Sequence, residues 1–301
     1  MTSAVELEPF DPSRRDDYLR LLREAWGAGA LSGDAFDWWF DGNPSGSLRS
    51  VAVRGGEVVG VAGHSLCRLR LGARERLGQF SVHAVTAPSA RGLGVFRALE
   101  RRHEEQGAEL GSTCVLAFAS ASTRPLFLGP LGWTRIDRRR VWARPFPVGR
   151  RGRALARFEE RHERAYRLVA DAWGHHVVRS LAYLDWRYAR SPRGYRLVES
   201  PKGGFAVVGF TRRHGLRLGL LLELVGSAGE TRRLLRAALA EARGCVALLA
   251  VPTSSLPRAV LARHGFLPTP YRLDFMGKGL REPLDSRPDA WTVTLGDTDF
   301  F

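Results

Sequence analysis

Between Phe80 and Leu99 the chain carries its most specific chemical pattern. Phe80 to Thr86 is short, apolar and β-prone; Pro88, Ser89, Gly92 and Gly94 break it; from Val95 the period becomes helical. A strand, a glycine turn and a helix N-terminus are therefore expected in that order. The first N–H groups of a helix have no partner inside the helix and carry partial positive charge. Glycines let that backbone come close to a ligand, so such a turn suits a phosphate or pyrophosphate. Arg91 and Arg97 add fixed positive charge beside it. The helical period sets Val95, Phe96 and Leu99 on one side and Arg97, Glu100, Arg101 and Arg102 on the other. A dinucleotide-binding turn fits less well, because Gly92-x-Gly94 lacks a third glycine and no ribose-binding acid follows about 20 residues on.

The run Pro88-Ser89-Ala90-Arg91-Gly92-Leu93-Gly94-Val95-Phe96-Arg97 resembles the acyl-CoA-binding signature of the GNAT acetyltransferase superfamily, written Arg/Gln-x-x-Gly-x-Gly/Ala. Arg91 matches its first position and Gly94 its middle glycine. Phe96 replaces the final small residue, as in a branch reading Arg-Gly-x-Gly-Ile-Phe. The resemblance implies transfer of an acyl group, usually acetyl, from coenzyme A to an amine by direct attack. It assigns the pyrophosphate to Arg91, Gly92, Leu93, Gly94, Val95, Phe96 and Arg97. It sets Val85 and Thr86 where a strand would align the pantetheine.

Acid–base groups are the thin part of the resemblance. Many members use a glutamate on the strand; the nearest match here is Gln79, which takes no proton. Strand alternation places Gln79, Ser81, His83 and Val85 on one face, and His83, with an ordinary pKa of about 6.5, is the candidate base. Ser81 is the second candidate on that face. The family's acid is often a tyrosine four residues before a Gly-aromatic pair; Leu128 and, in the second half, Leu261 hold that place. Some members use a C-terminal carboxylate, which here points to Phe301 or Asp299. Trp38 and Trp39 are candidates for the wall of an acceptor cleft.

The elements that must position these residues follow from periodicity and breakers. Val5 to Pro9 reads as a strand, Asp11 or Ser13 caps a helix to about Trp26, and Asp34 to Phe40 is a short aromatic helix. Strands are expected at 48–54, 58–71 and 76–86, the first two joined at Gly55-Gly56. The glycine turn and its helix come next, then a buried strand at 113–120, a short helix, and a last hairpin from Leu131 with a strand at 139–144. The order β, α, α, β, β, β, α, β, α, β matches the mixed α/β sheet of a GNAT domain. Pro145, Pro147, Gly149, Gly152 and four arginines mark 144–153 as a linker. A helix is expected from Arg153 to about Leu181, and a terminal strand from Trp291.

The chain then repeats itself. Asp37-Trp38-Trp39-Phe40 with Pro44-x-Gly46 is answered by Asp185-Trp186-Arg187-Tyr188 with Pro192-x-Gly194, at a constant offset of 148 residues from 37 to 185 and from 46 to 194. The expectation is two GNAT-like domains in tandem, 1–145 and 146–301. The second lacks Arg-Gly-x-Gly; it reads Gly226-Ser227-Ala228-Gly229-Glu230-Thr231, and Glu230 has the wrong charge for a phosphate. Only the first domain should bind the cofactor.

Composition bounds the rest. A chain of 301 residues with 44% hydrophobic residues can build real cores. No apolar run of about 18 residues suggests a membrane span, and the start lacks the pattern of a signal segment. Cys67, Cys114 and Cys245 are scattered and suit burial in a reducing cytoplasm, with neither a disulfide frame nor a metal site. The formal charge of +15 is carried by 46 basic residues of which only Lys202 and Lys278 are lysine. That imbalance fits a codon bias towards arginine better than a dedicated nucleic-acid surface. The favoured expectation is an acetyl-CoA-dependent N-acyltransferase acting on a small-molecule or peptide amine. The alternatives are a non-catalytic acyl-CoA-binding or regulatory module, and a nucleic-acid-associated, tRNA-dependent transferase. The acceptor stays open among amino sugars, aminoglycosides, polyamines, peptide N-termini and protein lysines, and so does the oligomeric state.

Overall fold

The computed structural model describes residues 4–299. The chain forms β1 (Glu6–Pro9), α1 (Arg15–Trp26), α2 (Gly33–Phe40), β2 (Ser47–Arg54), β3 (Glu57–Leu71), β4 (Arg74–Thr86), α3 (Val95–Glu109), β5 (Cys114–Ala119), α4 (Arg124–Leu128) and β6 (Thr134–Pro145). It continues with β7 (Arg153–Ala154), α5 (Glu160–Ala170), β8 (His176–Val177), α6 (Leu181–Leu184), β9 (Arg196–Glu199), β10 (Phe205–Arg213), β11 (Leu216–Val225), α7 (Ala228–Glu241), β12 (Ala247–Ala250), α8 (Arg258–Arg263) and β13 (Leu267–Gly279). The order expected for the first half, including both early helices and the strand–turn–helix at its centre, is the observed one.

The chain divides into two compact units, and neither is a continuous segment. The first holds residues 1–68, 76–136 and 275–286; the second holds 69–75, 137–274 and 287–301. A single cut near residue 145 does not describe this division: Asp137 to Pro145 lies in the second unit and Phe275 to Ser286 in the first.

In the first unit the strands run β1-β2-β3-β4-β5 and continue into the Phe275–Gly279 part of β13. β1–β2 and β2–β3 are antiparallel, while β4–β5 is parallel through Gln79↔Val115 and Phe80↔Leu116. The two faces of β3 show how the layers are made. A Cβ at Gly60 would stand 2.5 Å from Val95 of α3, and one at Gly63 would stand 2.5 Å from Phe40 of α2. Helix α3 thus covers one face through Val95, Leu99, Ala52, Val59 and Ala62. Helices α1 and α2 cover the other, where Tyr18, Phe36 and Phe40 pack with ring centroids 4.9–6.2 Å apart.

In the second unit the order is β6-β12-β11-β10-β9-β7, with β8 beside the Leu69–Arg70 end of β3. Its core sits between this sheet and α7, where Leu234, Leu235 and Ala238 meet Val198, Ala206 and Leu248. Three expectations fail here. Residues 153–181 are not one helix: they form β7, then α5, then a 3-10 turn and β8, because Glu159 and His162 close the helix start in a reciprocal cap and Gly174 at φ +64° ends the helical run. The hairpin expected from Leu131 is the single long strand β6. The segment after Trp291 is not a strand; it is an irregular run with a 3-10 turn at Leu295–Asp297, held by side-chain bonds.

Those bonds belong to a buried ionic cluster. The guanidinium of Arg179, fully buried, donates to Glu223 Oε1 from Nε at 3.0 Å and from Nη2 at 2.6 Å, to Asp297 at 2.8 Å and to the Val177 carbonyl at 2.6 Å. Tyr188 and Thr294 also donate to Glu223, at 2.7 and 3.0 Å. Burial pushes the Glu223 carboxyl above its ordinary range.

Nearby, His176 Nδ1 faces the Gly174 carbonyl at 2.8 Å and Nε2 faces the Tyr166 hydroxyl at 2.8 Å. Burial, then the charge of Arg179, pushes its pKa down to about 4 from 6.5. The folded chain therefore refuses a proton that the unfolded chain accepts between those pH values. Stability present at pH 7 should fall as pH drops from 6.5 towards 4, by up to about 3 kcal/mol from this group. In urea titrations at pH 7 and pH 4.5, the loss on acidification should be smaller in His176→Gln than in the parent; an equal loss would remove His176 as its source.

Candidate functional site

The site grows out of the link between β4 and α3. Pro88–Ala90 makes one 3-10 turn, and two glycines then take left-handed backbone, Gly92 at φ +81° and Gly94 at φ +76°. That conformation strains any residue with a Cβ by about 1–2 kcal/mol, which is why glycine stands at both places. The amides of Arg91 and Leu93 are taken by the Pro88 and Ala90 carbonyls. Those of Gly92, Gly94, Val95, Phe96 and Arg97 find no acceptor among the described residues, and α3 has no side-chain N-cap. Arg91, Gly92, Leu93 and Arg97 are exposed, Gly94 and Phe96 are half-buried and Val95 is buried, so the turn and its two guanidinium groups are at the surface while the first helical residue is anchored in the core.

The corresponding helix start in the second unit is closed. Ser227 and Glu230 form a reciprocal cap on α7: Glu230 accepts from the Ser227 amide at 3.0 Å and hydroxyl at 2.8 Å, and also from Ser200. Its carboxylate takes the Ser227 amide and puts a negative charge at the end of the helix. The expectation that only the first half binds the cofactor rests on the missing Arg-Gly-x-Gly and on the charge of Glu230; the structure adds that this carboxylate caps α7.

Strand β4 departs from simple alternation. Gln79 is buried against α3, its Nε2 donating to the His103 carbonyl at 3.1 Å and its carboxamide pressed where a Gly107 side chain would be. Ser81 faces the same helix and donates to Glu100 Oε1 at 2.9 Å. His83 does not join them. It takes φ +51°, and its ring lies among Trp26, Trp39 and Phe40 at centroid distances of 6.0, 5.0 and 5.9 Å. Beyond it Ala84 packs with the α3-facing cluster. With left-handed backbone at His83 the ring turns to the α1–α2 face, and Ala84 after it faces α3, so the alternation is reset there. The four residues therefore do not share one face.

Around His83 the structure gathers aromatic groups. Trp39 donates its indole N–H to Ser65 at 2.7 Å, and Trp38 meets it edge-on at 5.3 Å; both are buried. The Tyr18 hydroxyl donates to the His83 carbonyl at 3.3 Å, and burial holds that phenol neutral. Val85 and Thr86 are half-buried at the end of β4, and the Thr86 hydroxyl has no partner among the described residues. Leu128 lies on α4 and supplies no proton. Phe301 lies outside the described residues.

Helix α3 brings residues that the sequence reading set on its solvent side or passed over. Glu100 is fully buried: its second oxygen lies 3.0 Å from His64 Nε2 on β3. His103 Nε2 meets Ser50 at 2.9 Å, and Glu104 accepts from the Trp133 indole at 2.7 Å. The spacing 96, 100, 103, 107 is a helical stripe, and that spacing was the available signal. Its polar members disguised it as an exposed face. Burial, then neighbouring His64, pushes His103 well below its ordinary pKa, so it is neutral at pH 7.

Among the described residues no cluster of histidine, cysteine, aspartate and glutamate could hold a metal ion, and no helix is long and apolar enough to cross a membrane. All three cysteines are buried free thiols.

No protein-family model and no curated protein sequence matches the chain. Solved structures do. A GCN5-related N-acetyltransferase from Anabaena variabilis superposes with a TM-score of 0.69 at 11% identity, over 92% of this chain and 73% of that one. One from Kribbella flavida gives 0.66 at 19% identity, over 93% and 72%. The N-myristoyltransferase of Saccharomyces cerevisiae, solved with myristoyl-CoA, gives 0.69 at 11% identity, over 97% and 90%. With its mixed sheet, its parting β4 and β5 and the glycine turn into α3, this chain has the fold of the GCN5-related N-acetyltransferases.

Proposed function

We propose that the protein is an acyl-CoA-dependent N-acyltransferase that takes acetyl-CoA and passes the acyl group directly to an amine. One observation carries the reading: the uncapped run from Gly92 to Arg97, exposed at Gly92, Leu93 and Arg97, with five unclaimed amides and two arginines beside it. It suits a diphosphate, and its position at the mouth of the β4–β5 separation is where a thioester chain could lie between the strands. The yeast relative holds an acyl-CoA, which supports the same ligand class here. In this reading the strand edge of β4 near Val85 and Thr86 aligns the pantetheine. His83 is ringed by Trp26, Trp39 and Phe40 on the α1–α2 face. The first half works and the second is a degenerate tandem copy. Three free thiols and a coenzyme A substrate fit the cytoplasm.

A second reading is acyl-CoA binding without turnover. Gln79, locked against α3 where a base would be wanted, favours it. The test has two stages. Calorimetric titration with acetyl-CoA should show one site per chain. Incubation with acetyl-CoA and glucosamine, an aminoglycoside, spermidine and a lysine-bearing peptide should release thiol and give a product heavier by one acetyl group. Binding without transfer to any acceptor would favour the second reading; no binding would end both. RNA that displaces acetyl-CoA with steep salt dependence would instead support a nucleic-acid role.

A further inference from the structure

We propose that Ser81 and Glu100 form the proton relay that the strand lacks at Gln79, with the carboxylate supplied from helix α3. The inference rests on the acyltransfer reading above and adds to it the groups that move the proton. Ser81 is the first residue beyond the last β4–β5 pair, Phe80↔Leu116, and so stands where the strands part. It is half-buried and its Oγ lies 2.9 Å from Glu100 Oε1. The other oxygen of Glu100 is held by His64 Nε2 at 3.0 Å. His64 and Glu100 are both fully buried.

Placing a carboxylate there has a cost. A buried acid is destabilising unless partners satisfy it, and apolar residues at position 100 would have packed α3 onto β3 more simply. The arrangement gives Glu100 one oxygen oriented by an imidazole and the other turned to a hydroxyl at the opening. Of the three, Ser81 is the half-buried member and stands where the strands part, so Glu100 and His64 act through it as positioning residues.

The step balances as follows. The amine nitrogen bonds to the acyl carbonyl carbon and the carbon–sulfur bond breaks. The proton leaving nitrogen passes to Ser81 Oγ while Ser81 passes its own to Glu100 Oε1. The same two transfers in reverse place a proton on the departing coenzyme A sulfur. One proton has moved from nitrogen to sulfur, and both residues return to their starting state.

The experiment compares Ser81→Ala, Ser81→Thr and Glu100→Gln in acetyl-CoA binding and in transfer to whichever of the four acceptors the parent uses fastest. Ser81→Ala should lower kcat by about a hundredfold or more, the usual scale of acid–base assistance, with acetyl-CoA affinity within about threefold. Ser81→Thr, which keeps the hydroxyl, should restore kcat to within about tenfold of the parent. Glu100→Gln should match Ser81→Ala, and the double variant should fall no further, as coupled groups do. Undiminished kcat in Ser81→Ala overturns the relay and leaves the acyltransfer reading standing. Equal loss in Ser81→Ala and Ser81→Thr, or loss of acetyl-CoA affinity in step with kcat, overturns it as well. A parent that binds acetyl-CoA but acylates none of the four overturns both together.

Discussion

Gly94→Glu is expected to weaken acetyl-CoA binding by at least about a hundredfold while the protein stays folded. The nearest atom to a Cβ at Gly94 is Arg97 Nη2 at 3.4 Å, so the side chain has room and points into the open turn. The backbone strain at φ +76° costs about 1–2 kcal/mol of stability. The larger effect is electrostatic. A carboxylate about 4 Å from a phosphate oxygen, at an effective dielectric near 20, opposes it by about 4 kcal/mol. Even after screening, about 3 kcal/mol remains, which is the hundredfold. Two controls separate the causes. Gly94→Ala carries the strain without the charge and should bind within about tenfold of the parent. Gly229→Glu places the same charge at the start of α7, where Glu230 already caps the helix, and should leave binding unchanged. Calorimetry with acetyl-CoA and a thermal melt on each variant decide it. Affinity for Gly94→Glu within threefold of the parent would mean that the diphosphate does not sit at this turn.

Arg179→Ala is expected to cost about 3–5 kcal/mol of stability, the range for breaking a buried ion pair by removing one partner. Arg179 is the cation shared by Glu223 and Asp297, and its carboxylate partners are as deeply buried as it is. Removing it leaves two acids facing each other without a counter-charge. For a chain of 301 residues the melting temperature should fall by about 5–8 °C. Glu223→Gln should cost less, because burial already raises the pKa of that carboxyl, and an amide keeps the shape of its neutral form. Arg179→Lys keeps the charge and loses the fork that reaches Glu223, Asp297 and the Val177 carbonyl together, so it should fall between the two. Urea titrations of the three variants test this order. A loss below 1 kcal/mol for Arg179→Ala would show that the cluster is solvated or remade in its absence.

Local grammar made part of this protein legible. Pro88, Gly92 and Gly94 mark the end of β4 because of what those residues are, and the two glycines permit the left-handed backbone that the turn adopts. The closed start of α7 was also written in the chain, since Ser227 and Glu230 stand at the spacing of a reciprocal cap. Reading Glu230 only as a misplaced charge missed why it is there. The expected helix over 153–181 and the terminal strand after Trp291 failed for a different cause. Apolar and polar residues there follow contacts with distant segments: Arg179 and Arg139 bond the irregular tail through side chains and carbonyls.

What the sequence determined by itself was the strand, the glycine turn and the helix that follows it, all set by propensities within a few residues. What only the tertiary structure decided was which side chains face each other. The left-handed backbone at His83 reversed a face that alternation had assigned. Glu100, charged and in an apparently polar stripe, went into the interior because His64 on β3 and Ser81 on β4 were there to meet it. Burial of a charge depends on partners far off in sequence, and no local pattern carries that information.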